Sequence, residues 1–122
     1  MIYVASLFSN GCHTDSDLDK EIRHQRYEYT MKRVAKFMKR GWHVYSPILH
    51  CYEMSNRYSL PKGYTFWKNI DRDMISRCDK VFVLMMDDDL GNWVHSEGMT
   101  DEINYATSLG KPVVFIECKD YC

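Results

Sequence analysis

The stretch Lys80-Val81-Phe82-Val83-Leu84-Met85-Met86 constrains this chain more than any other part of it. It is apolar at nearly every position, so it has no polar face to leave in water, and it is short for a buried helix. Such a run predicts a central strand of a parallel sheet covered on both faces, and parallel neighbours need helical crossovers between them. The flanking sequence supplies these. Ile2 to Ser6 reads as a first strand, and after a polar loop Tyr27, Met31, Val34, Ala35 and Met38 recur at helical spacing up to Gly41. His43 to Ser46 reads as a short second strand stopped by Pro47, followed by a long loop to Gly63 whose Tyr52, Tyr58 and Tyr64 suggest a cover over a substrate. A second helix capped near Thr65 carries Phe66, Trp67, Ile70, Met74, Ile75 and Cys78, and ends at Asp79. Beyond a turn-rich segment, a third helix carries Met99, Ile103, Ala106 and Leu109 to Gly110, and Pro112 to Ile116 forms the last strand.

With 122 residues there is material for one hydrophobic core, so residues 1–122 are read as a single domain. The alternation of strand and helix predicts a small α/β, flavodoxin- or Rossmann-like three-layer domain with a four- or five-stranded parallel sheet. Right-handed crossovers put the ligand crevice at the carboxyl ends of the strands where strand order reverses, after the first and third strands. Sixteen basic against seventeen acidic residues leave no field for polymeric nucleic acid or an anionic membrane. Met1 to Ser6 lacks the basic start and long apolar stretch of a signal peptide, so a soluble, cytoplasmic protein is expected. Five cysteines, an odd number without a C-x-x-C pair, read as reduced thiols. Cys12-His13 and His50-Cys51 lack zinc-ligand spacing, so neither a metal nor a cofactor is expected.

Two carboxylates break the pattern. With Ile70 at zero and about 100° per residue, Trp67 falls near about 60°, Met74 near about 40° and Asp71 near about 100°, inside the apolar stripe. Counted from Met99 in the same way, Glu102 falls near about −60°, between Ala106 at about −20° and Leu109 at about −80°. Asp73 and Asp101 fall outside or at the edge of their stripes and read as solvated charges. A buried unpaired carboxylate costs several kcal/mol, so each must be paired, protonated or lining a polar cavity. Two of them flanking the expected crevice is a pattern of acid/base or nucleophilic chemistry; a structural role for Glu102 near its helix start is the alternative.

At this point the residues resemble the nucleoside 2-deoxyribosyltransferase-like superfamily, which includes 2'-deoxynucleoside 5'-phosphate N-hydrolases. The resemblance spans nearly the whole chain. It is carried by Ile2-Tyr3-Val4-Ala5-Ser6, Ser46-Pro47-Ile48 with His50, Asp71 eight residues before Asp79, and Trp93-x-x-Ser96-x-Gly98-x-x-x-Glu102 with Ala106 and Gly110-Lys111-Pro112-Val113. The features Phe66-Trp67, Cys78-Asp79 and Ser96-x-Gly98 point to a less characterised branch. The resemblance implies that Glu102 attacks the anomeric carbon, that Asp71 assists the departing base, and that Tyr3 hydrogen-bonds near the nucleophile. It implies binding roles for Ser6, Ser46, Ser96 and Gly98, and serine at position 96 is closer to the hydrolases than to the transferases. His50 could hydrogen-bond a base or phosphate, and Trp93 could stack on a base. The hydrolases carry a basic residue soon after the first strand, whereas Leu7 to Gly11 has none, and Arg23 is the candidate to replace it.

The expected activity is therefore cleavage of an N-glycosidic bond in a nucleoside or nucleoside 5'-monophosphate, or deoxyribosyl transfer, through a glutamate nucleophile. Family members complete their sites with a neighbouring subunit, which implies a homodimer or larger homo-oligomer. The alternatives are a non-catalytic nucleotide-binding module, motivated by the missing basic residue, and a glutamate-dependent NAD glycohydrolase.

Overall fold

The computed structural model describes residues 1–61 and 63–121. Cys122, one of the thiols read from the sequence, lies outside the described residues. The apolar run forms strand β3 (Lys80–Met85), with Val81, Val83 and Leu84 fully buried. Beside it lies β1 (Ile2–Ala5), buried along its whole length. The other strands are β2 (Val44–Tyr45) and β4 (Val113–Glu117), and the all-parallel sheet has the order β2-β1-β3-β4. Helices α1 (Asp17–Lys39), α2 (Pro47–Tyr58), α3 (Tyr64–Arg77) and α4 (Glu97–Ser108) make the connections.

The chain leaves β1 toward β2 and returns past β1 to β3, so strand order reverses between the two buried strands. Right-handed crossovers then put α1 on one face of the sheet and α3 and α4 on the other, giving three layers. Phe37 of α1 packs edge-on to Phe82 of β3 at 5.4 Å. Ile75 of α3 and Met99 and Ala106 of α4 are buried in the same core. No helix among the described residues is long and apolar enough to cross a membrane.

Three expectations from the sequence are corrected. The segment after Pro47 is helix rather than loop through Tyr58: the Ser46 hydroxyl accepts from the Leu49 N–H at 3.3 Å, and Pro47 occupies a first-turn position where its missing N–H is harmless. The buried stripe of α1 is Arg26, Tyr29, Thr30, Val34 and Phe37, whereas Met31, Ala35 and Met38 face outward. Thr30 bonds back to the Arg26 carbonyl at 2.9 Å, and Arg26 has its own buried partners, so polar residues take positions that an apolar count gives to methionines. Finally, α3 starts at Tyr64 with Gly63 as its cap residue, which leaves Thr65 inside the first turn.

Candidate active site

A cavity of about 490 Å³ opens at the carboxyl ends of β1 and β3, where strand order reverses. Ser6 and Phe8 line it from the segment after β1, Ser96, Gly98 and Glu102 from α4, and Tyr64, Trp67 and Asp71 from α3. Another wall is α2, with Ile48, Cys51, Tyr52 and Ser55. Tyr52 stacks on Tyr27 of α1 with ring centroids 4.2 Å apart, which docks α2 against α1.

Asp71 and Glu102 are 7% and 6% exposed and face this cavity from adjacent helices. Their inward lines are Asp71-Ile75-Cys78 on α3 and Met99-Glu102-Ala106 on α4. Ile70 and Leu109, which the stripes of the sequence placed inside, are 40% and 44% exposed. Asp71 Oδ1, Glu102 Oε2 and the Tyr3 hydroxyl are buried without a hydrogen-bond partner among the described residues. Buried polar atoms are normally paired, so two orphaned carboxylate oxygens on one cavity, with the Tyr3 hydroxyl beneath them close to Glu102, mark a place built to receive a ligand's polar groups.

Electrostatics follow from that burial. Desolvation pushes the Glu102 carboxyl up to about 8; the Asp71 charge pushes the same way, and the nearby Tyr3 hydroxyl pulls it back. Asp71 is raised to about 7, again mainly by desolvation and then by the charge of Asp101. The Tyr3 phenol is held well above its ordinary value by burial and by both carboxylates, so it stays a neutral donor. Between pH about 7 and 8 the pair shares about one proton, the state in which one carboxyl can act as an acid and the other as a nucleophile or base.

The surroundings hold the two helices and two loops in place. Asp101, expected as a solvated charge, is paired: Arg72 Nη2 and Nε bind its carboxylate at 2.6 and 3.1 Å, and the Tyr64 hydroxyl donates to it at 2.9 Å. The Tyr64 ring rests on Gly98, where a Cβ would lie 3.3 Å from it. Arg26 is fully buried and makes a bidentate pair with Asp88, both bonds 2.8 Å, while its Nη1 donates to the Phe8 and Asn10 carbonyls at 2.7 and 2.8 Å. Asp88 also accepts from the Leu90 and Gly91 N–H groups and from the Tyr121 hydroxyl. Burial alone would raise the Asp88 carboxyl, but the bonds from Arg26 and Tyr121 hold it down at about 2. Gly11, at φ +75°, closes against the Leu90 carbonyl, where no side chain would fit. The loops after β1 and β3 are therefore stapled together at the rim of the cavity.

The structure brings Ser6, Asp71, Ser96, Gly98 and Glu102 to one cavity, with Tyr3 beneath it among the charges it feels. It does not bring Ser46, His50 or Trp93 there. Ser46 caps α2, His50 faces outward against Tyr45, and Trp93 packs on Phe115 at 5.6 Å. Ser96 has two uses, since its hydroxyl also accepts from the Met99 N–H at the start of α4. Arg23 does line the cavity, with Nη1 fixed by the Cys12 and Thr14 carbonyls at 2.5 and 2.6 Å. Of the tyrosines read as a substrate cover, Tyr52 and Tyr64 line the cavity and Tyr58 is exposed; sequence reasoning missed His13, Trp67 and the other α2 residues, and the bulk of Phe66-Trp67 beside Asp71 was the available signal. Among the described residues no three of His, Cys, Asp and Glu come together as a metal site. His50 and Cys51 point opposite ways, and Cys12 is buried against Arg26. A second depression of about 520 Å³ near Asp87, Asp89 and Glu117 is shallow and holds neither orphaned carboxylate.

Residues 1–118 match the family described as Domain of unknown function (DUF1937). No curated protein matches the chain.

Proposed function

We propose that this chain, which belongs to the DUF1937 family, breaks the N-glycosidic bond of a nucleoside or nucleoside 5'-monophosphate in the cytoplasm. The observation that carries this reading is the pair of buried carboxylates, each with one oxygen that has no hydrogen-bond partner among the described residues, facing one cavity from adjacent helices. The resemblance to the 2-deoxyribosyltransferase-like enzymes assigns their order. Burial alone puts the shared proton on Glu102, so the reaction proceeds from the other one-proton state of the pair: ionised Glu102 attacks the anomeric carbon as its bond to the base nitrogen breaks, and protonated Asp71 gives its proton to the leaving base. The positive charge that develops on the sugar favours the Glu102 carboxylate, and Tyr3 orients it. Asp71, now ionised, takes a proton from water as the water oxygen displaces Glu102 from the sugar, which restores both groups. A second base in place of water would give transfer, and the resemblance of Ser96 to the hydrolases slightly favours hydrolysis.

One observation favours a second reading. Arg23 is the one Lys or Arg that lines the cavity among the described residues, and part of its guanidinium is engaged by backbone carbonyls. A site so poor in positive charge fits a binding module for a neutral nucleoside as well. Base release from deoxynucleosides, deoxynucleoside monophosphates and NAD, with and without an acceptor base, separates these readings. Release that disappears in Glu102→Ala supports the enzyme; tight binding of a nucleoside without release over hours supports the module.

A further inference from the structure

Helices α3 and α4 lie side by side on one face of the sheet, and each gives one carboxylate to the cavity. The residues next to those carboxylates in the chain, Arg72 and Asp101, meet each other across the same helix pair. Arg72 binds Asp101 with two nearly parallel N–H bonds, and its guanidinium lies 4.8 Å from the centre of the Tyr105 ring. Tyr64 joins this cluster to the cavity wall: its hydroxyl is bonded to Asp101, and its ring lies on Gly98, whose added Cβ would stand 3.9 Å from Glu102 Oε1.

We propose that Arg72, Asp101 and Tyr64 are positioning residues that set the separation of Asp71 and Glu102 and so the grip of the pair on the reacting sugar. Consecutive helical residues are fixed to each other by about 1.5 Å of rise and 100° of rotation. Any slide or roll of α3 that moves Asp71 therefore also moves Arg72 and strains its two bonds to Asp101. A partly exposed ion pair contributes only about 0–1 kcal/mol to stability, so the cluster is poorly explained as a stabilising device. Its planar two-bond geometry, which lysine cannot reproduce, is what a spacing device needs.

The cluster also sets the charge that the pair feels. Among the described residues, the titratable groups coupled to Asp71 and Glu102 include Tyr3 and Tyr45 from the strands, Cys51 from α2, Tyr64 from α3 and Asp101 from α4. Burial keeps those tyrosines and the cysteine neutral near pH 7. Arg23, His13 and Glu97 line other parts of the cavity. Among the described residues, Asp101 with its partner Arg72 is thus the permanent charge pair beside the two carboxylates that a substitution outside the cavity can unmask or remove.

This inference rests on the glycosidase reading for its catalytic part only, and the test separates the two. The full chain and its Arg72→Met, Arg72→Lys, Asp101→Asn and Tyr64→Phe variants are examined for carboxyl titration by infrared spectroscopy and for base release. Asp101→Asn should lower the titration midpoint of the buried pair and Arg72→Met should raise it. Base release should lose about tenfold or more in kcat with KM changed less than about threefold, and Arg72→Lys should not restore it. Unmoved titration in folded Arg72 and Asp101 variants overturns the proposal, as does unchanged kcat in an active protein. Wild-type protein without turnover ends the glycosidase reading and leaves the titration to decide the positioning role. Should the charge variants fail to fold, Tyr64→Phe, which removes one hydroxyl, decides by kcat, or by titration midpoint where no turnover exists.

Discussion

Replacing Glu102 by glutamine should make the protein more stable in mild alkali and inactive at every pH. The carboxyl is raised from an ordinary 4.5 to about 8. At about 1.4 kcal/mol for each tenfold change in proton affinity, ionising it in the folded state costs about 5 kcal/mol more than in the unfolded chain. Between those two values the folded protein holds a proton that the unfolded chain has released, so stability is fully present below about 4.5 and is lost as pH rises through about 8. Part of the cost belongs to the neighbouring Asp71, so the amide should recover about 2–4 kcal/mol at high pH. For a domain of this size that is a rise in melting temperature on the order of 10 °C. Urea unfolding followed by tryptophan fluorescence should find Glu102→Gln within about 1 kcal/mol of wild type near pH 5 and clearly more stable near pH 8.5. A variant that is less stable at both values, with the slope against pH unchanged, would refute the reasoning, because the carboxylate would then be a stabilising partner and not a strained one.

The pH dependence of base release should be a bell with its maximum between about 7 and 8, where the pair holds one proton, and Asp71→Asn should abolish its alkaline limb. Arg26→Met leaves the Asp88 charge buried without its partner and should cost about 3–5 kcal/mol by denaturant unfolding, whereas pairing it with Asp88→Leu should recover part of that loss. Gly98→Ala would put its Cβ 3.3 Å from the Tyr64 ring, so it should push the ring aside and lower kcat about tenfold while the melting temperature falls by only a few degrees.

The sheet was legible because β3 and β1 have no exposed face, and a strand buried on both sides writes itself as an unbroken apolar run. Asp71 and Glu102 were legible for the opposite reason, since a charge between apolar turns of a helix is an anomaly that needs a local explanation. The stripes around them were less well placed. Counting from Ile70 took the most apolar side chain as the most buried, yet α3 turns Asp71 and Ile75 inward and leaves Ile70 at the surface. Helix α2 was missed because its inner face, with Cys51, Tyr52 and Ser55, covers a polar cavity and so lacks apolar periodicity. Arg26 was missed because its partners Asp88, Phe8 and Asn10 come from other parts of the chain, and no local pattern announces a buried arginine that is satisfied at a distance.

The central claim is that Glu102 becomes covalently bonded to a sugar. Rapid-quench mass spectrometry of the protein turning over a deoxynucleoside or its 5'-monophosphate tests it most directly. The account predicts a transient adduct of one deoxyribosyl or deoxyribosyl-phosphate unit on the peptide containing Glu102, absent in Glu102→Ala. Base release by wild type and Glu102→Ala alike, with no adduct at any time, would contradict it.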